Sequence, residues 1–274
     1  MFHSPPASKV HCITQVFHEK RSVPLLSRGK GIVKIGIYSD VHSNLEALET
    51  VLEALDRERV DRTLCLGDLV GYGPNPNECV TRVMQSADDI LAGNHDHAAL
   101  GLLSLRDFNN SAAEAMEWTW DVLTPVSAEF LGRLPLTVHL GKTMAVHATP
   151  DAPEEWNYIQ KEADIVRNME ILETHVCFIG HSHIPVVFVR NEKGEILIQD
   201  ASEIRIREGS SYLINVGSVG QPRDGDPRAA YGIFDTEERC FRLKRLNYPV
   251  DRVQKKMVAE GLPKMLIERL GFGQ

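Results

Sequence analysis

KIGIYSDVHSN, residues Lys34–Asn44, changes character halfway. Its first half continues an apolar, β-branched run from Ile32 to Tyr38, the composition of a buried strand. Ser39, Asp40, Val41, His42, Ser43 and Asn44 follow, and they are mostly polar. Then Leu45, Leu48, Val51, Leu52 and Leu55 recur with a helical period. The stretch is therefore a strand, a polar loop and a helix, with Asp40 and His42 at the carboxyl end of the strand. In open α/β sheets that edge is where ligands bind. A carboxylate and an imidazole projecting from such a loop suit a transition metal or zinc ion.

The same pattern recurs down the chain. Arg62–Gly67 is a short apolar strand that ends at Asp68, followed by a Gly- and Pro-rich loop and a helix over Pro76 to Met84. Asp89 to Ala92 is a strand that runs into Gly93-Asn94-His95-Asp96-His97. Phe108 to Arg133 reads as two helices broken at Pro125, with Trp118, Trp120, Val122 and Leu123 in the core or in a cap over the site. Leu136–Leu140 and Thr143–His147 form a hairpin around Gly141-Lys142, and its second strand ends at His147. A helix over Glu162 to Glu173 precedes the strand Val176–Ile179, which ends in Gly180-His181-Ser182-His183. From Val186 the character is antiparallel β, and Asp251 to Leu270 is helical with a break at Gly261–Pro263.

Composition sets the frame. The 274 residues are 43% hydrophobic and 25% charged, which is ordinary for a globular chain with a sizeable core. A formal net charge of −8 argues against non-specific nucleic-acid binding, though not against an enzyme that takes a nucleotide. Five scattered cysteines without CxxC spacing fit a reducing cytoplasm. No apolar run is long enough to span a bilayer. Residues 1–31, rich in Pro, Ser, His and Lys, read as a disordered or loosely attached segment, and 32–274 as one domain. An alternative translation start near Val33 would place Met1–Lys30 outside the native protein.

Collected together, the strand ends supply Asp40, His42, Asp68, Asn94, His95, His147, His181 and His183. That is too many donors for one ion, and Asp68, alone on its loop, suits a bridge between two. Mixed His, Asp and Asn donors favour Mn, Fe, Ni or Zn over Mg or Ca. Two such ions clamp a phosphate and lower the pKa of a water between them, and a free imidazole can protonate the leaving alkoxide.

DVH, GDLVGYG, GNHD, VHATP and GHSH, in this order, resemble the five blocks of the calcineurin-like metallophosphoesterase superfamily. The resemblance runs from Asp40 to His183 and implies a four-layer α/β/β/α sandwich. It implies that Asp40, His42 and His183 hold one ion, that Asn94, His147 and His181 hold the other, and that Asp68 bridges them. His95 becomes the proton donor and transition-state contact, and Asp96 orients His95 or braces its turn. The Asp-Arg-Gly sequence and GNHE block of the serine/threonine phosphatases are absent, which argues against a phosphoprotein substrate and for the small phosphodiesterases and phosphatases.

A second loop, Asn215 to Arg228, is Gly-rich and follows a strand, so it can present N–H groups to an anion. Arg223 is the candidate for gripping substrate phosphate, with Asn215 and Ser218 assisting; the alternative for Arg223 is a salt bridge to Asp224 or Asp226. His97 fits the surface or the rim of the substrate site, and His139 and His175 fit structural or exposed positions. The expected function is hydrolysis of small phosphodiesters, dinucleoside polyphosphates or phosphomonoesters by a hydroxide bridging two metals. The rivals are a scaffold that has lost catalysis, which normally loses ligands this chain retains, and a nuclease, which the acidic charge disfavours.

Overall fold

The computed structural model describes residues 34–172 and 174–274. The expectations for Met1–Val33, including the loose segment, Cys12 and the first residues of the opening strand, lie outside them.

Strand β1 (Lys34–Tyr38) sits inside a six-stranded sheet. On one side it pairs in parallel with β2 (Arg62–Cys65), which pairs with the two-residue β3 (Asp89–Ile90). On the other side it pairs antiparallel with β11 (Ala229–Asp235), followed by β12 (Cys240–Leu246) and β9 (Glu203–Arg205). The second sheet has the order β4 (Thr137–Leu140), β5 (Thr143–Val146), β6 (Val176–Ile179), β10 (Ser211–Asn215), β7 (Val186–Arg190), β8 (Ile196–Gln199).

Alternation along the strands explains the layering. Ile35 and Ile37 of β1 join Phe178 of β6 and Ile214 of β10 in the core between the sheets. Tyr38 turns the other way, against the helices. In β6, Val176 and Phe178 face the other sheet, while Cys177 and Ile179 face α6 (Glu162–Glu170) through Ile165 and Met169. Covered on both faces, these strands read as continuous apolar runs. The first sheet's outer face carries α1 (Leu45–Glu58), α2 (Pro76–Ser86), α4 (Asn110–Val122), α5 (Pro125–Leu131), α7 (Val250–Ala259) and α8 (Lys264–Arg269). The architecture is the expected α/β/β/α sandwich.

Three local features add to or differ from the sequence reading. Asn94 to Ala99 is a helix, α3, so the Asn94–His97 stretch forms its first turn. The helix α6 ends at Glu170, short of Glu173. The strand β9, only three residues long with one buried side chain, left no periodic signal in the sequence. Among the described residues no helix is long and apolar enough to cross a membrane.

Candidate active site

The carboxyl ends of β1, β2, β5 and β6 and the start of α3 meet at one edge. Each strand has to turn sharply there, and backbone conformation shows it. Asp40, His42, Asp68, His181 and His183 all have φ between 48° and 66°, the left-handed region that non-glycine residues seldom occupy. Residues held this way cluster at functional sites, because the surrounding structure must hold them there. Here the support is a hydrogen-bonded frame. Asp40 N–H donates to Gly67 O, His42 N–H to Asp68 O and Ser43 N–H to Leu69 O.

Two overlapping groups of buried side chains result. Asp40, His42, Asp68 and His183 form one, and Asp68, His147 and His181 form the other; within each group the donor atoms lie within 4.8 Å of one another. Asp68 belongs to both. Its Oδ2 stands 3.5 Å from His42 Nε2 and 3.3 Å from His147 Nε2. Asp40 Oδ1 stands 3.2 Å from His183 Nε2. Asn94 opens α3 beside this cluster, and its Oδ1 is buried without a hydrogen-bond partner.

The imidazoles are oriented from behind. His42 Nδ1 lies 3.1 Å from Val70 O, His147 Nδ1 2.9 Å from Leu66 O, and His183 Nδ1 2.5 Å from Gln221 O. A carbonyl can only accept, so each Nδ1 carries a proton, and in the neutral rings of His42 and His183 each Nε2 presents a lone pair inward. Such backing is the rule for metal-ligating histidines. The Nε2 atoms of His42 and His183 are 3.0 Å apart, so two lone pairs face each other. A cation between them would relieve that repulsion. Asp40 Oδ1, Asn94 Oδ1, His147 Nε2 and His181 Nε2 are also buried without hydrogen-bond partners. The donor set fits two divalent ions sharing Asp68.

Electrostatics follow from this crowding. Burial opposes the charge on Asp40 and Asp68, yet the imidazoles of His183 and His147 hold both carboxyls well below the usual range. Burial pushes His42 and His183 down, and His181 down to about 3. His147 is the exception: against burial, Asp68, Asp40 and Leu66 O carry it up to about 9.

His95 stands beside the metal groups and outside them. Its ring packs against Tyr72, His42 and Phe108, with centroids 4.4, 4.7 and 5.0 Å away, and its Nδ1 has no partner. Burial lowers it to about 4, so the ring is neutral at pH 7. Gly71 makes room for it: at φ 86° it occupies left-handed backbone, and a Cβ there would strike His95 Nδ1. Asp96 does not touch the His95 ring. Its carboxylate accepts from the N–H groups of Asp68, Leu69, Val70 and Gly93 at 2.8–3.3 Å, which ties the Asp68 loop to the first turn of α3. Of the two roles expected for Asp96, bracing the turn matches its contacts.

The second loop divides. Ser218 is buried under the site, donates to Asp40 O at 2.8 Å and accepts from Gln221 N–H. Asn215 donates to Gly180 O and Ser182 Oγ and accepts from Gly217 N–H. Both brace the ligand loops. Arg223 is at the rim, bonded to Gln221 Oε1 at 2.8 Å and Tyr72 OH at 3.2 Å. His97 is half-buried, edge-on to Trp156, and His139 and His175 are exposed.

Three neighbours were not singled out from the sequence. Tyr158, 45% exposed, stacks on His181 with ring centroids 4.0 Å apart. Trp156 lies edge-on to His147, and Phe108 to His95. All three come from segments with no motif, and only tertiary contact reveals them.

A family model of the calcineurin-like phosphoesterase superfamily domain matches residues 33–239. An uncharacterized protein of Methanocaldococcus jannaschii is 41% identical over 88% of this chain and 98% of its own length. The phosphodiesterase YfcE of Escherichia coli is 22% identical over 75% of this chain and 89% of its own. The crystal structure of a metallophosphoesterase from Sphaerobacter thermophilus superposes with a TM-score of 0.79 at 39% identity, covering 89% of this chain and all of that one. A hypothetical protein from Pyrococcus horikoshii shares the fold at 17% identity, with a TM-score of 0.71 over 89% of this chain and 99% of its own. The chain belongs to the calcineurin-like phosphoesterase superfamily, whose chemistry is the hydrolysis of phosphoric esters.

Proposed function

We propose that this protein hydrolyses small phosphodiesters, dinucleoside polyphosphates or phosphomonoesters at a two-metal centre. Asp40, His42 and His183 would hold one ion, Asn94, His147 and His181 the other, and Asp68 would be shared between them. The mixed oxygen and nitrogen donors favour Mn, Fe, Ni or Zn. The observation that carries this reading is the pair of facing lone pairs on His42 and His183, next to a carboxylate common to both groups.

When bound, the ions would supply Lewis acidity toward the phosphoryl oxygens and an activated water. The chain supplies the rest. Arg223 neutralises a non-bridging phosphoryl oxygen from the rim. His95, neutral in the free protein, takes up a proton beside the negative charge of the bound substrate and, as imidazolium, gives it to the leaving oxygen as the ester bond breaks. Tyr72 and Phe108 keep that ring in place and keep water from it. Asp96, Asn215 and Ser218 hold the loops that carry the ligands. The domain extends past the family match to residue 274, because Val253, Met257, Leu266 and Leu270 pack into the same core as α1. The four described cysteines are free and buried, which fits the reducing cytoplasm.

The test is hydrolysis of bis(p-nitrophenyl) phosphate and p-nitrophenyl phosphate after chelation and return of single metals. Metal-restored turnover that Asp68→Asn and His95→Ala both abolish supports the reading. Stoichiometric metal binding without turnover of either ester or of a dinucleoside polyphosphate overturns it in favour of a scaffold.

A further inference from the structure

Three of the four candidate ligand histidines are held from behind in the same way. His42, His147 and His183 each give Nδ1–H to a backbone carbonyl, of Val70, Leu66 and Gln221. His181 differs. Neither of its ring nitrogens has a hydrogen bond among the described residues, and its Nε2 is buried. A ligand imidazole is normally kept in orientation by a partner on its other nitrogen. His181 meets two rings instead. His147 lies at a steep angle to it with centroids 5.2 Å apart, and Tyr158 stacks on it at 4.0 Å with 28° between the planes.

The loop from β5 to α6 is built to bring Tyr158 there. Ala152 and Trp156 occupy left-handed backbone at φ 48° and 57°, a costly conformation for residues other than glycine. Trp156 is buried, edge-on to His97 and His147. Ile159, on the other side of Tyr158, packs into the core that α6 shares with β6. Asp151 N–H donates to Asn168 Oδ1, and Gln160 and Lys161 N–H donate to Asp164 Oδ2, so both ends of the loop are tied to α6. Tyr158 is pinned between these anchors, yet its ring is partly exposed and its hydroxyl has no hydrogen bond among the described residues. What the loop delivers to the site is the flat face of the ring.

We propose that Tyr158 is a positioning residue for one of the two ions: its stack does for His181 what a carbonyl does for each of the other three imidazoles. The inference rests on the two-metal reading. The stack fixes the tilt of the His181 ring and covers one of its faces from solvent. It acts through the ring plane, so the hydroxyl is dispensable. Only the group of Asp68, His147 and His181 depends on it; Asp40, His42 and His183 are oriented without it.

Equilibrium dialysis of the metal-free protein against buffered free Mn, with bound ions counted by elemental analysis, tests this. The unmodified protein is expected to take up two ions. Tyr158→Ala weakens one of them by about 10- to 100-fold, the scale for losing a partner that orients a metal ligand, and leaves the other unchanged. Tyr158→Phe, which keeps the ring, retains both affinities, and Tyr158→Leu, which keeps only apolar bulk, behaves as Tyr158→Ala. Thermal unfolding of the metal-free variants separates lost orientation from lost fold. At saturating Mn, Tyr158→Ala recovers kcat on bis(p-nitrophenyl) phosphate with KM unchanged. Unchanged affinities in Tyr158→Ala, equal weakening of both ions, or a Tyr158→Phe variant that binds as weakly as Tyr158→Ala overturns the positioning role alone. A KM that stays raised at saturating Mn overturns it in favour of direct contact with the substrate. Fewer than two ions on the unmodified protein overturns the two-metal reading, and the positioning role with it.

Discussion

His42 and His183 meet Nε2 to Nε2 at 3.0 Å while each gives its Nδ1 proton to a backbone carbonyl. The arrangement is unfavourable without a cation. Chelation should therefore lower the unfolding temperature, and return of Mn or Zn should restore it. At a free ion concentration a hundredfold above Kd, binding to the fold alone contributes about 2.7 kcal/mol. His183→Gln should reduce the metal content from two ions per chain to one or none, read by elemental analysis. A protein whose melting is indifferent to chelators contradicts this account.

Loading the second ion should release a proton, and the source is His147. In the metal-free chain this imidazole sits at about 9, whereas burial keeps His42, His181 and His183 neutral at pH 7.5. Metal must displace the His147 proton, so affinity should climb with pH up to about 9 and level off above it. Calorimetry in buffers of different ionisation heat should find about one proton released at pH 7.5 and none at pH 10. Release at pH 7.5 that persists in His147→Gln would refute the assignment.

His95→Ala should separate chemistry from metal binding. The ring contributes no atom to either metal group, and its Nδ1 is unpartnered. A fall in kcat of about 10²- to 10⁴-fold with both ions retained is the expected result. Gly71→Ala should mimic it more weakly, because its Cβ would push on the same nitrogen from left-handed backbone. Loss of metal in either variant would make His95 a structural support of the ligands.

Asp96→Ala strips the partner from four backbone N–H groups, on Asp68, Leu69, Val70 and Gly93. A loss of at least about 2 kcal/mol in unfolding free energy is expected, since each orphaned buried donor costs about 1–3 kcal/mol. Asp68 should also lose its register, with weaker binding of both ions. Normal stability with normal metal content would show that water replaces the carboxylate without loss.

Much of this was legible because each strand end is marked in the sequence. Apolar runs give way abruptly to Asp40-Val41-His42, Gly67-Asp68, Gly93-Asn94-His95 and Gly180-His181-Ser182-His183, and a buried strand cannot continue into such residues. What stayed hidden depends on distance. Asn215 and Ser218 carry the right groups for a substrate, but which way they point is set by Gly180 and Asp40, 35 and 178 residues away in the chain. Tyr158 and Phe108 sit in unpatterned segments, and their value comes from the rings they touch. Asp96 offered two roles in the sequence, orienting His95 or bracing its turn, and only the folded start of α3 shows its contacts to be with Gly93 and the Asp68 loop.

Strands β10 and β11 come late in the chain and lie at the middle of their sheets, β10 between β6 and β7, β11 between β1 and β12. A nascent chain synthesised as far as His183 already carries all seven candidate ligands. It still lacks the strand that seats β1 and the one that seats β6, and with them Ser218 under Asp40 and Asn215 under the Gly180 turn. The candidate site is thus framed only after β10 and β11 have been made, when pairings of long sequence separation close, the slow kind of step in folding. Until then its histidines and aspartates are a loose chelator on the ribosome, open to whichever ion arrives first.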